Sequence, residues 1–266
     1  MYFCAKFKVI SMTKYIEKIH ELRIFRKKEF VALTTSEDAA KEFLRRYKRQ
    51  RFITQIRRDL YAATDLATKA PLVSKFEIAS QINKSAYLAY HSALEYYGLT
   101  NQVFYEMAVA SSQRFNNFEY DGIRYFYVES KTDIGVVNPP TDSLIKVTEL
   151  ERTMVDCINR IDLCGGLEEL IQCFSLITYV NEDKLITYLT AFNKQFLYQK
   201  AGFILSYFQN EMNLSKFFFE YCKSKIGKSV RYLTYLNESD TYFNEWQLCA
   251  PSNILSFLEQ GGGPNV

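Results

Sequence analysis

The stretch LTTSEDAAKEFLRRYKRQRFITQIRRDLYAA, Leu33 to Ala63, changes its hydrophobic period in mid-course. Thr35 or Ser36 can cap a helix whose first turn is acidic, Glu37 and Asp38, as suits the positive end of a helix dipole. Ala40, Phe43, Leu44 and Tyr47 then recur at spacings of three and four and make one apolar stripe. The remaining faces carry Lys41, Arg45, Arg46, Lys48 and Arg49. After Gln50 the period shortens toward two. Phe52, Ile53 and Ile56 read as a strand, Arg57-Arg58-Asp59 as a tight turn, and Leu60-Tyr61-Ala62 as the returning strand. A helix with one buried face and one cationic face, followed at once by a basic hairpin, is the order of parts at the reading end of a winged helix-turn-helix.

A basic helix face is commonly no more than a solvated face. Here the charge is concentrated. Met1–Leu60 holds 16 Lys and Arg against 7 Asp and Glu, a net of +9, whereas Tyr61–Val266 holds 17 against 23, a net of −6. A basic head on a mildly acidic body points to a polyanionic partner for the head alone. In the DNA reading Thr35, Ser36 and Lys41 are candidates for base contact. Arg45, Arg46, Lys48, Arg49, Arg57 and Arg58 are candidates for phosphate contact.

The 266 residues, 48% of them hydrophobic, suffice for two or three small cores. The six cysteines, Cys4, Cys157, Cys164, Cys173, Cys222 and Cys249, form no C-x-x-C pair, and with His20 and His91 as the only histidines no zinc spacing is present. No metal and no cofactor are therefore expected, and the cysteines are expected to be reduced in a cytoplasmic chain. The N-terminal MYFCAKFKVISM lacks the pattern of a signal peptide. No run reaches the roughly 18 apolar residues of a membrane span. Met12, just before a clean helix, is a candidate natural start, which the intact mass of the natively expressed protein decides. Asn-x-Ser triplets at Asn83, Asn213 and Asn237 have no use in a cytoplasmic chain.

The fold class expected is α+β, with a winged helix-turn-helix over residues 1–68, a mixed α/β body over 69–260 whose C-terminal part is largely helical, and a disordered tail over 261–266. Thr13 to Leu22 predicts a first helix, capped by Thr13 and buried through Tyr15, Ile16, Ile19 and Leu22. Phe25 to Leu33 predicts a second. Lys69 to Gln81, with Pro71, leads out of the head. Lys84 to Tyr97 predicts one helix ended by Gly98. Strands are expected at Phe104–Ala110, Phe118–Tyr120 and Ile123–Glu129, the last two joined by Asp121-Gly122, a strong hairpin signal. Gly135 to Val147 is expected to be extended or loop. Helices follow at Glu149–Arg160, with Arg152 and Asp156 able to pair on its outer side, then at Leu167–Ile177, Glu182–Phe192, Lys194–Gln209 and Leu214–Lys225. Asn181 and Ser215 are candidate caps. Val230–Leu236 and Glu245–Ala250 alternate as strands, and Asn253–Leu258 predicts a short final helical turn.

Three segments together resemble the AbiEi-type antitoxins of bacterial type IV toxin–antitoxin and abortive-infection systems. The first is the stretch quoted above. The second is YLAYHSALEYYGL, Tyr87 to Leu99, similar to that family's Ser-Ala-Leu helix through Ser92-Ala93-Leu94 and Gly98-Leu99. The third is VTELERTMVDCINRIDLCGGLEE, Val147 to Glu169, similar through Glu151-Arg152-Thr153, Asp156 and Gly165-Gly166. Phe243 to Leu248, with Trp246, is a weaker match. In the wing, Asp59 stands where the family commonly has Gly, and Asp tolerates a left-handed turn better than most residues. The resemblance implies a cytoplasmic antitoxin whose winged helix represses its own operon by binding double-stranded DNA at inverted repeats in the promoter. It also implies that the C-terminal part counteracts a co-encoded nucleotidyltransferase-type toxin, without a stable inhibitory complex being assumed.

Gly227-Lys228-Ser229 ends like a P-loop, but Cys222 stands where its first Gly belongs. His20-Glu21 lacks the second His of a zincin, and no Gly-x-Ser-x-Gly elbow occurs. Cys157, Cys164 and Cys173 sit in apolar company, as small core residues do. His91, in an aromatic-rich segment, suits a core or interface position. Neither suggests an enzyme. Two alternatives remain open: a plain winged-helix regulator that neutralises nothing, and an enzyme acting on a nucleic acid through Glu149, Glu151, Arg152 and Asp156.

Overall fold

A computed structural model describes residues 15–234 and 241–260 of the chain. The Thr13 cap, the alternative start at Met12, the end of the Val230–Leu236 strand and the 261–266 tail lie outside these residues. The architecture is mixed α+β: a winged helix, a six-stranded sheet, and a helical layer with a small sheet of its own. Among the described residues no helix is long and apolar enough to cross a membrane.

The head runs α1 (residues 15–22), β1 (Ile24–Arg26), α2 (Lys27–Val31), α3 (Glu37–Arg49), β2 (Ile53–Arg57) and β3 (Leu60–Ala63). Its sheet has the order β1-β3-β2, both pairs antiparallel. The sequence expectation of a helix from Phe25 is corrected here. Phe25 lies in β1, opposite Tyr61, and α2 starts at Lys27. Local pattern could not separate a three-residue strand from the first turn of a helix, because β1 is fixed by pairing with a strand 36 residues onward. Arg23 at φ +59 makes the corner between α1 and β1. The other corners follow the sequence. Ser36 caps α3 by accepting from Ala39 N at 3.2 Å. Asp59 adopts φ +67 at the hairpin tip and accepts from the Lys27 backbone N–H at 3.2 Å.

Side chains alternate across β3, and the two faces serve two cores. Tyr61 and Ala63, with Phe25 and Ile53, close the head's own core around Ile19, Phe30, Ala40, Leu44 and Tyr47. Leu60 and Ala62, with Ile24 and Ile56, enter a second core shared with the body. Polar contacts fasten the same joint. Arg26 Nη2 donates to the carbonyls of Gln81 and Ile82 at 2.8 and 2.7 Å, and Arg23 Nη2 lies 2.7 Å from Glu77.

The body begins with α4 (Lys75–Ser80), β4 (Tyr87–Leu88) and α5 (His91–Tyr96). The single helix expected over Lys84–Tyr97 is therefore split. Tyr87-Leu88 pairs with β5 (Glu106–Ser111), and Tyr90, at φ +55, breaks the backbone before α5. Then come β6 (Phe118–Tyr120), β7 (Ile123–Glu129), β8 (Val136–Val137) and β9 (Val147–Thr148), giving a sheet of order β6-β7-β5-β4-β9-β8. Asp121 and Gly122 have φ of +53 and +73, as a two-residue hairpin turn requires. Met107 and Val109 of β5 join the core shared with the head, while Ala110 faces the opposite side with Tyr87 and Ala89.

The helical layer comprises α6 (Leu150–Asn159), a 3₁₀ turn (Ile161–Cys164), α7 (Leu167–Ser175), α8 (Glu182–Phe192), α9 (Gln195–Ser206) and α10 (Lys216–Lys225). Asn181 and Ser215 cap α8 and α10. β10 (Arg231–Tyr232), β11 (Thr241–Phe243), β12 (Leu248–Ala250) and α11 (Ser256–Gln260) complete the described chain, with β12 central in its small sheet. Gly202 of α9 makes the close approach there: a Cβ at this position would lie 2.0 Å from the Trp246 ring.

Candidate nucleic-acid interface

The surface of α3 follows from its stripe. Ala40, Leu44 and Tyr47 are buried, so the residues between them turn outward. Arg45, Lys48 and Arg49 are exposed on that side, and Arg45 is 80% exposed with Glu42 as its ion-pair partner. Lys48 Nζ donates to Gln55 of β2 at 2.6 Å, tying the helix to the hairpin. Arg58 is exposed at the hairpin tip. These four cations lie on surface that the body does not cover.

The N-terminal turn of α3 is close to neutral despite its acids. Glu37 lies 2.7 Å from Lys27 and 3.6 Å from Lys41, and Lys41 lies 3.2 Å from Asp38. The two lysines hold the Glu37 carboxyl below its ordinary range, Lys27 acting most strongly. Thr35 is exposed, whereas the Ser36 hydroxyl is engaged as the cap. Of the expected base-contact set, Thr35 and Lys41 are exposed and outside the helix cap, Lys41 being paired with Glu37 and Asp38.

Arg46 and Arg57 stand apart from the expected phosphate set. Arg46 is half-buried, its guanidinium 4.9 Å from the Phe43 ring centre and 5.8 Å from that of Tyr47. Arg57 is turned into the joint with the body, 4.9 Å from the Phe118 ring centre and 5.7 Å from that of Phe115. Burial, and then the nearby Arg26, lower its pKa from the usual guanidinium value. The surface beside the hairpin also carries Arg51 and Lys69. With Lys48, Thr54, Gln55 and Thr68 they line a groove of about 450 Å³ beside the hairpin. Arg51 stood within the quoted stretch. Lys69 could not be found from sequence, because the turn after β3 brings it back over Phe52, at 5.1 Å from the ring centre.

The charged group in the body is taken up internally. Arg152 Nε donates to both carboxylate oxygens of Asp156 at 3.0 Å, and its Nη1 donates to the Ile134 carbonyl. The pair is buried, not on the outer side of α6 as expected. Burial raises the Asp156 carboxyl from 3.8 to about 6, with Arg152 opposing. Glu149 accepts from Lys184 at 2.8 Å and from the Tyr188 hydroxyl, and Glu151 accepts from the Asn181 N–H at 2.9 Å.

No family model matches the chain, and no curated protein matches it. Among solved structures, the crystal structure of the RV2827C protein from Mycobacterium tuberculosis is similar, with a TM-score of 0.61 over 90% of each chain at 15% identity. A likeness at that identity speaks for the fold alone. The class defined on these grounds is a mixed α+β chain with an N-terminal winged helix built into its body.

Proposed function

We propose that the chain is a DNA-binding antitoxin that represses its own toxin–antitoxin operon and counteracts a co-encoded nucleotidyltransferase-type toxin. The observation that carries the DNA half is the uncovered cationic surface of Arg45, Lys48, Arg49 and Arg58 on the helix and hairpin of a winged helix. Phosphates take such charges without sequence preference, and base edges in the major groove are read from the helix N-terminus. Exposed Thr35 and Lys41, near the N-terminus of α3, are the candidates for that reading, and Arg51 and Lys69 extend the cationic track past the hairpin. The toxin half rests on the resemblance of the three segments to AbiEi-type antitoxins.

The test is a gel shift on the chain's own upstream DNA against scrambled DNA at two salt concentrations. The expected result is a specific shift that weakens with salt, and a double variant Arg45→Ala/Arg49→Ala whose salt slope is shallower by about 0.9 per lost phosphate contact. Equal, weak binding to both DNAs, or an unchanged double variant, sinks the assignment. Growth rescue on co-expression with the product of a neighbouring nucleotidyltransferase gene tests the second half.

A further inference from the structure

Where the sheet meets the helical layer, three metal-capable side chains from distant parts of the sequence converge. His91 opens α5, and Glu169 and Cys173 lie one turn apart on α7. Their donor atoms all fall within 4.8 Å of one another, and all three residues are buried. His91 Nε2 lies 3.1 Å from Glu169 Oε1, and Cys173 Sγ lies 3.5 Å from the same oxygen. Ligands at about 2.0–2.3 Å from a tetrahedral zinc ion stand about 3.3–3.7 Å apart. The two separations measured from Glu169 Oε1 are within a few tenths of an ångström of that spacing, and the His91 and Cys173 donors lie within 4.8 Å of each other.

The hydrogen bonds within the group leave it incomplete. His91 is 4% exposed and its Nδ1 has no partner, and Glu169 is 4% exposed and its Oε2 has none. A buried carboxylate with an unbonded oxygen is costly unless a positive charge stands by it. The hydrogen-bond partners of Glu169 among the described residues are an imidazole and a thiol. Beside the group lies a cavity of about 330 Å³, lined by His91, Phe104, Arg124, Asp162 and Gly165 among others. Gly165, at φ +78, lets the loop close over the carboxylate. A Cβ there would lie 3.1 Å from Glu169 Cγ and from the Phe104 ring.

We propose that His91, Glu169 and Cys173 bind one divalent ion of the zinc class, with a water from the adjoining cavity as fourth ligand. The nitrogen, oxygen and sulfur donors suit a borderline ion rather than magnesium or calcium. On binding, the Cys173 S–H bond breaks, its proton passes to solvent water, and the thiolate electron pair forms the bond to the metal. No redox change is involved. The ion would clasp α5 to α7, and so fasten the sheet to the helical layer. This assignment is independent of whether the head binds DNA.

The experiment is titration of the chelator-treated full chain with Co²⁺, followed by displacement with Zn²⁺. One equivalent of Co²⁺ is expected to give visible d–d bands of a tetrahedral ion and a thiolate-to-cobalt charge-transfer band, both lost on adding Zn²⁺. Zinc is expected to raise the melting temperature. Cys173→Ala should lose the charge-transfer band, and Cys164→Ala, at the neighbouring thiol, should keep it. Circular dichroism identifies any variant that fails to fold, and the wild-type titration stands without them. Absence of the bands in wild type, or a band that survives Cys173→Ala, overturns the proposal.

Discussion

At Asp156 a single carboxyl carries opposing influences. Burial opposes its charge, while the Arg152 guanidinium, held against both oxygens, favours it. With the carboxyl raised to about 6 from 3.8, the folded chain holds this proton more tightly than the unfolded chain does. The contribution to stability is therefore present below about pH 4 and is lost as pH rises through about 6, a change of about 3 kcal/mol. Denaturant titrations across that window should show the decline, and Asp156→Asn should remove it. Asp156→Ala, which strands Arg152 in the interior, should cost about 3–5 kcal/mol throughout. The pairing of Arg152 with Asp156 was legible from their four-residue spacing. Its burial was not, because Phe192 and the Ile134 carbonyl, which cover it, arrive from other elements. The same holds for His91 and Glu169: no spacing rule joins residues 78 positions apart. Several residues that carry the family resemblance have internal tasks. Ser92 Oγ accepts from the Ala108 N–H at 2.8 Å, and Thr153 Oγ1 donates toward the Thr148 and Glu149 carbonyls.

Among the elements, α3 and the β2–β3 hairpin were read from sequence nearly to their ends, since each carries its own period, cap and turn. β1 and β4 were not. Each has only two or three residues, and each exists because a partner strand is there to accept it. The hairpin separates two arginines that look alike in the sequence. Arg57 lies against the rings of Phe115 and Phe118, whereas Arg58 faces solvent. Arg57→Ala is expected to lower stability by about 0.5–2 kcal/mol and leave the salt slope of DNA binding unchanged. Arg58→Ala is expected to do the reverse, with stability within about 0.5 kcal/mol of wild type and a shallower slope. Thermal melts beside salt-dependent binding curves distinguish the two, and matching behaviour of both variants would contradict the placement of Arg57.

On the scale of the whole molecule, charge divides the chain near residue 60, but packing does not. The head's sheet is a shared wall, with Phe25, Ile53, Tyr61 and Ala63 on one side and Ile24, Ile56, Leu60 and Ala62 on the other. Composition showed the electrical boundary. Only the three-dimensional pairing showed that Leu60 belongs to the body's core. Leu60, 1% exposed, should cost about 2–5 kcal/mol on replacement by Ala. The loss should be felt on both sides of the wall, so amide exchange in α3 and in β7 should accelerate together. Acceleration in the head alone would show that the wall is not shared. The shared wall bears on the DNA proposed as this chain's partner. A reading head on a loose tether could tolerate half-sites at several separations. Here the Arg26 and Arg23 bonds and the shared core fasten head to body. If two copies sit on an inverted repeat, one base pair inserted at its centre turns the second half-site by about a tenth of a helical turn. To follow it, the second head would have to strain the core it shares with the body.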